Sequence, residues 1–290
     1  MPEPHIAEPA QTGFASARAY DAYRPSYPAE AVEQLLDGLG IAGVKGAKVV
    51  DLAAGTGKFT EILARRPEGY DVVAIEPHDA MREQLEEKSL PRVRVVKGTA
   101  DAMSNIPDGS FACVITAQHT SDLFPRFANV DALKEIARIL QPSGTFGLIW
   151  NIEDYNSPRS WAIHPGWERT MRDIIWTFDD NSPRFRHQKW RKVFDDQSNS
   201  STLLFNLPLR EGSVDFETRL PRETIWSRLR TLSQLAILEG QGLEKVRKTF
   251  IESVNSGETE TDESGRIAVH GRTVFFWTSK VSAEPPKSGG

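Results

Sequence analysis

The chain of 290 residues contains one cysteine, Cys113, which excludes an intrachain disulfide and any zinc site built from several cysteines. It also lacks an excess of positive charge. Its 35 Lys and Arg stand against 40 Asp and Glu, for a net charge of −5. A protein whose main task is to neutralise phosphate backbones needs clustered cations, so nucleic acid is not an expected partner. No apolar run approaches the ~18 residues that a membrane span requires, and no membrane partner is expected. The opening stretch MPEPHIAEPAQTG has neither the basic start nor the apolar centre of a secretory leader, so the expected location is the cytoplasm. The histidines show no ligand spacing, and no metal is expected. There is no internal repeat. What remains is 39% hydrophobic, 26% charged and 9% aromatic residues. That is an ordinary globular balance in a chain long enough to bury a sizeable core.

Polar composition marks residues 1–13 as a flexible lead-in, 281–290 as a tail and 255–266 as a solvated loop. Between them the pattern alternates. Val32, Leu35, Leu36 and Leu39 recur at helical spacing behind Pro28. Short apolar runs closed by glycine or polar residues predict buried strands at 48–52, 71–76, 93–96, 111–116 and 145–150. Helices are expected over about 59–65, 80–88 (with Asp79 as N-cap) and the stretch bearing Leu133, Ile136, Ala137 and Leu140. Continuously apolar strands alternating with helices signal a parallel sheet covered on both faces. Residues 28–151 therefore read as a doubly wound α/β core. After Trp150 the pattern changes. A mostly polar, helical stretch over 152–210 carries Trp161, Trp167, Trp176 and Trp190. A strand near 213–219, helices over 222–236 and 241–254, and a strand at 273–278 then complete a seven-stranded sheet. His270-Gly271 reads as a turn ahead of that last strand, which is expected to pair antiparallel at an edge.

The segment Val49-Val-Asp-Leu-Ala-Ala-Gly-Thr-Gly-Lys-Phe-Thr60 carries the most information. A glycine turn between a buried strand and a helix lets backbone approach a ligand closely at the carboxyl end of a sheet. A phosphate-binding P-loop would need glycine where Leu52 stands. A dinucleotide fingerprint starting at Gly55 needs glycine or alanine at Thr60; started at Ala53 it fails at Ala53 and Lys58. What is left is Asp51-x-Ala53-x-Gly55-x-Gly57. Glu76 closes the second strand 25 positions after Asp51, where a carboxylate can accept both hydroxyls of a ribose. Met81 follows five residues later, and Lys97-Gly-Thr99-Ala-Asp101-Ala102 follows the third strand.

With these four motifs in order, residues 45–152 resemble the class I S-adenosylmethionine-dependent methyltransferases, whose first strand ends in acidic-x-Gly-x-Gly-x-Gly. The departure is Ala53 at the first glycine. The resemblance implies a Rossmann-like fold and S-adenosyl-L-methionine as cofactor. It implies a cofactor site of Asp51, Ala53, Gly55, Thr56, Gly57, Glu76, Pro77, Met81, Thr99, Asp101 and Ala102. Met81 would lie against adenine, Asp101 and Ala102 would read its edge, and Ala117 and Gln118 at the end of strand four would lie near the methionine portion. The run Tyr20-Asp-Ala-Tyr23-Arg24-Pro is similar to the entry segment of a small-molecule branch that includes trans-aconitate-methyltransferase-like fungal and bacterial enzymes. There Tyr23 and Arg24 would contact the cofactor and Tyr20 the substrate.

All seven tryptophans fall at or after position 150, and aromatic linings with few polar groups suit small-molecule pockets. Trp150, Trp161 and Trp167 are therefore candidate substrate contacts, and the acceptor is expected to be a small aromatic or apolar metabolite methylated at O, N or S. Displacement at an activated methyl asks mainly for positioning and a dry site. A base is needed when the acceptor is a poor nucleophile, and His119 is the candidate. Segments 14–27 and 152–200 are the available covers for the crevice. Two other classes stay open: a protein of this fold that uses the cofactor for another reaction, and a non-enzymatic interaction protein.

Overall fold

A computed structural model describes residues 26–117, 129–178, 184–197 and 203–282. Seven strands form one sheet in the order β3-β2-β1-β4-β5-β7-β6. They are β1 (Lys48–Leu52), β2 (Asp71–Ile75), β3 (Val93–Val96), β4 (Phe111–Ala117), β5 (Leu140–Glu153), β6 (Arg210–Leu220) and β7 (Ile267–Ser279). The first five are parallel, and β7 runs antiparallel to both of its neighbours, β5 and β6. The chain winds outward from β1 to β3, then returns to β4 on the other side of β1. That reversal leaves a crevice at the carboxyl ends of β1 and β4, where the connections diverge to opposite sides.

Why the sheet is buried follows from the alternation of its side chains. Val49, Val72, Cys113, Ile115, Ile149 and Phe275 pack with Val32, Leu35 and Leu36 of α1 (Ala29–Gly38). On the opposite face Val50, Leu52, Val73, Ile75 and Val114 pack with Leu133, Ile136 and Ala137 of α4 (Val130–Ile139). The two remaining core helices are α2 (Lys58–Ala64) and α3 (Asp79–Glu87). Beyond β5 the described stretch is helical: α5 (Trp167–Ile175) and α6 (Lys192–Gln197), then α7 (Arg222–Leu229), α8 (Ser233–Ala236) and α9 (Gly240–Val254). α5, α7 and α9 close a separate apolar cluster of Trp167, Met171, Ile225, Leu229, Val246 and Phe250 against Ile267 and Val269 of β7.

Three sequence expectations are corrected. His270-Gly271 lies inside β7 rather than in a turn, with Gly271 opposite both Glu153 and Phe216. A Cβ at Gly271 would stand 2.5 Å from the Phe216 ring and 2.7 Å from the Ile152 carbonyl, so this glycine serves close packing between strands. β7 is not the edge; β6 pairs outside it. Asp79 opens α3 instead of capping it, and its carboxylate pairs with Arg82 and Lys97.

β4 ends at Ala117 opposite Ile149, whereas β5 continues to Glu153 with β7 and β6 alongside. Four more residues carry the antiparallel strands about 13 Å past the end of β4, by the rise of ~3.3 Å per residue. The crevice thus has a wall on its β5 side.

Candidate functional site

The loop after β1 is a set of left-handed turns. Ala53, Gly55 and Gly57 have φ of 54°, 58° and 83°. The Ala54 N–H extends the β2 pairing to the Ile75 carbonyl at 3.0 Å, and the Gly57 N–H closes on the Ala54 carbonyl at 2.9 Å. At Gly57 a Cβ would fall 2.2 Å from Leu85 Cδ1, so both conformation and packing require glycine there. At Gly55 the nearest atom to such a Cβ is Met81 Sδ at 3.8 Å, which leaves the face of the loop open.

Two buried carboxylates flank this loop. Glu76, 1% exposed, accepts the Gly55 N–H on Oε2 and the His78 N–H on Oε1, both at 2.8 Å. Burial pushes its carboxyl up to about 7, against the pull of those two N–H groups and of Arg82. Asp51, fully buried, accepts the Thr60 hydroxyl on Oδ2 at 2.5 Å. Its Oδ1 has no partner among the described residues. Burial pushes Asp51 up to about 7 as well, opposed by Thr60 and reinforced by the charge of Glu76.

Around them lie the other sequence candidates. Thr56, Pro77 and Met81 are buried beside the loop. Past β3, the Ala102 N–H bonds the Thr99 carbonyl at 3.1 Å, with Thr99 buried and Asp101 and Ala102 exposed. Ala117 ends β4, half-buried. Asp51, Ala53, Gly55, Thr56, Gly57, Glu76, Pro77 and Met81 are thus brought together, with Thr99–Ala102 and Ala117 on either side along the strand ends. Tyr20, Tyr23, Arg24, Gln118 and His119 lie outside the described residues.

This arrangement fits an adenosyl cofactor. Each Glu76 oxygen keeps a second lone pair for a ribose hydroxyl, Asp51 Oδ1 is an orphaned acceptor, and the loop face at Gly55 is clear.

The tryptophans divide. Trp150 is 2% exposed, its ring among Phe185, Trp190 and Phe276 at 5.1–6.0 Å. Trp167 is 3% exposed, packs on Tyr155 and Phe250, and donates its indole N–H to the Ala268 carbonyl at 3.2 Å. Both are core side chains, placed there by the alternation of β5 and by the apolar face of α5, and they line no substrate surface among the described residues. Trp161 is half-buried and lines a cavity of ≈ 380 Å³ with Phe185, Arg191, Arg272 and Phe276.

Sequence reasoning passed over Glu153, on the wall above the strand ends. It is 1% exposed, and neither carboxylate oxygen has a partner among the described residues. Two positions earlier on the same face, Asn151 donates to the Ser26 carbonyl at 3.1 Å and accepts the Thr273 hydroxyl at 2.6 Å. The available signal was the pair of polar residues, two apart, directly after an apolar strand.

Residues 49–144 match the family described as methyltransferase domain. The chain is 37% identical over 157 residues to an uncharacterized methyltransferase of Mycobacterium bovis, covering 54% of this chain and 56% of that protein. It is 33% identical over 176 residues to an uncharacterized methyltransferase-like protein of Schizosaccharomyces pombe, covering 60% and 62%. The chain thus spans somewhat over half the length of these relatives. Among solved structures, the YcgJ protein of Bacillus subtilis shares the fold with a TM-score of 0.50 at 17% identity, covering 85% of this chain and 97% of that one. The family match lies within the α/β core, and the shared fold extends over most of the chain.

Proposed function

We propose that the protein is an S-adenosylmethionine-dependent methyltransferase acting on O, N or S of a small, aromatic or apolar metabolite. The observation that carries this reading is the clamp between Glu76 and Gly55. It joins the end of β2 to the loop after β1, and it lies beside a second buried carboxylate, Asp51, at the end of β1. Glu76 would hold the ribose hydroxyls, the loop backbone would pass close beneath the sugar, Met81 would flank the adenine, and Asp101 with Ala102 would read its edge. Asp51 Oδ1 would accept a hydrogen bond from the amino-acid end.

When bound, the cofactor supplies a methyl group already activated on a sulfonium. The chain's part is to hold the acceptor in line near Ala117 and to keep water out. A proton acceptor is needed only for a poor nucleophile. His119 remains the proposal from sequence, and Glu153, buried at the end of β5 with no partner among the described residues, is a second. Trp161 is the remaining aromatic candidate for the substrate side.

The acidic net charge supports a small-molecule acceptor over a polyanion, and no described helix is long and apolar enough to cross a membrane. A cytoplasmic location is part of the same reading. Calorimetry with S-adenosylhomocysteine should give one site per chain. Methyl-labelled cofactor incubated with the protein and a metabolite extract should then transfer label to a small molecule. Binding without transfer would leave a cofactor-binding protein of another activity, and no binding would remove the reading.

A further inference from the structure

On the wall beyond the strand ends, four segments bring two imidazoles and three carboxylates together. His270 comes from β7, Glu217 from the register position opposite it in β6, Glu168 from the first turn of α5, and His164 and Asp154 from the stretch between β5 and α5. The two histidines are held in the same way. Asp154 Oδ2 lies 3.0 Å from both the backbone N and Nδ1 of His164. Glu168 takes the His270 backbone N–H on Oε1 and faces its Nδ1 with Oε2, each at 2.8 Å.

A carboxylate on Nδ1 fixes the proton on that nitrogen and leaves Nε2 with its lone pair outward, which is how metal-binding imidazoles are oriented. The two rings are stacked, centroids 3.6 Å apart and planes 13° from parallel. His270 Nε2 has Glu217 Oε2 at 3.9 Å, too long for a hydrogen bond, and His164 Nε2 has no hydrogen-bond partner among the described residues. One donor atom each of His164, Glu168 and His270 falls within 4.8 Å of the other two. His164 is half-exposed, which gives an ion a path in and lets that ring turn to converge with its neighbour.

We propose that His164, His270 and a carboxylate of this cluster bind a divalent transition-metal ion of the zinc type. Imidazole nitrogen with carboxylate oxygen suits Zn²⁺, Co²⁺ or Ni²⁺, whereas Mg²⁺ and Ca²⁺ prefer all-oxygen shells. Asp154 and Glu168 orient the imidazoles, and Glu217, half-exposed on β6 and paired with Arg219, is the carboxylate that would turn its other oxygen toward the ion. The excess of carboxylate over cationic partners favours a dication; Arg219, 2.8 Å from Glu217, is the neighbouring counter-charge. An ion there would pin the segment after β5 and the start of α5 to the β6–β7 wall. No local spacing marks the cluster, because Glu168 and His270 are 102 positions apart.

The test uses tag-free protein freed of metal by chelation and titrated with Zn²⁺ against a chromophoric indicator, then with Co²⁺ followed by its visible absorption. One tight site, a Co²⁺ spectrum of four- or five-coordinate nitrogen–oxygen type and a rise in melting temperature with Zn²⁺ but not Mg²⁺ are expected. His164→Ala, at a half-exposed position where the fold tolerates loss, should abolish the spectrum. Asp154→Asn should weaken Zn²⁺ binding about 10–100-fold, the usual effect of removing an orienting partner. Wild-type protein that binds no Zn²⁺, or His164→Ala that binds as wild type does, overturns the proposal.

Discussion

Glu76 Oε2 and the Gly55 N–H, 21 positions apart in sequence, meet at 2.8 Å and tie the loop after β1 to the end of β2. The same carboxylate holds the His78 N–H at the start of α3. Glu76→Ala leaves both donors without their acceptor. Unmade hydrogen bonds at buried groups cost about 1–3 kcal/mol. The variant should therefore melt several degrees lower and bind S-adenosylhomocysteine about 10- to 100-fold more weakly. Calorimetry and thermal melts together check this. Unchanged affinity would mean that the ribose does not lie at Glu76.

The two buried carboxylates also set a pH dependence. Glu76 and Asp51 are each pushed up to about 7 by burial, from ordinary values of 4.5 and 3.8. A raised carboxyl holds its proton more tightly in the folded than in the unfolded chain. Without cofactor, the contribution of these two groups is therefore fullest below about 4, falls as pH rises through about 4–7 and levels off above, whereas Glu68, held down to about 2 by Arg66, contributes in the opposite sense in acid. Ribose hydroxyls donate to a carboxylate, so the cofactor favours the ionised form and its binding releases protons. Affinity for S-adenosylhomocysteine should rise with pH and be about tenfold weaker at pH 6 than at pH 8 for one such group. Calorimetry in buffers of different ionisation enthalpy measures the protons released. A flat affinity over that range would rule out ionisation of these groups on binding.

The α/β core was legible in sequence because β1, β2, β3 and β4 are short apolar runs whose neighbours leave no other place for them. The glycine loop after β1 was legible because its left-handed turns at Gly55 and Gly57 need glycine at fixed places. β7 was misjudged at His270-Gly271, since glycine reads as a turn locally and only Phe216, 55 positions earlier, explains it as packing. Trp150 and Trp167 were misread for a related reason. An aromatic residue after a strand carries no mark of whether it faces a pocket or the core, and here Trp190, Phe185 and Phe250 decide it. Glu153 and the histidine pair depend on contacts between distant segments, which one chain read in line does not display.

Ala53 stands where the family has glycine and adopts the glycine conformation, with φ of 54°. An L-residue in that region carries about 1–2 kcal/mol of strain. Glycine would remove it, while adding about 0.4–1 kcal/mol of unfolded-chain entropy to be lost on folding. Ala53→Gly should thus stabilise the protein by about 0.5–1 kcal/mol without weakening cofactor binding. Denaturant unfolding measures the difference. A destabilised variant would show that the Ala53 methyl makes packing contacts worth more than the strain.

Glu153 poses the opposite balance. Its side chain is buried at the end of β5, and neither oxygen has a partner among the described residues. An unpaired buried carboxylate costs free energy with nothing local to offset it, so its presence points to a use. Glu153→Gln keeps the shape and removes the charge but leaves an unpartnered amide in the same place, so it should raise stability only by the cost of the charge. If Glu153 accepts a proton from the methyl acceptor, the variant should bind S-adenosylhomocysteine as the parent does. It should nonetheless transfer methyl at least 100-fold more slowly to a phenol or ammonium acceptor, within the usual contribution of a general base. Transfer to a thiolate or carboxylate should be nearly unchanged, since those acceptors surrender no proton. Equal loss on every acceptor would make Glu153 a positioning residue, and equal turnover with higher stability would leave its charge without a role in the reaction.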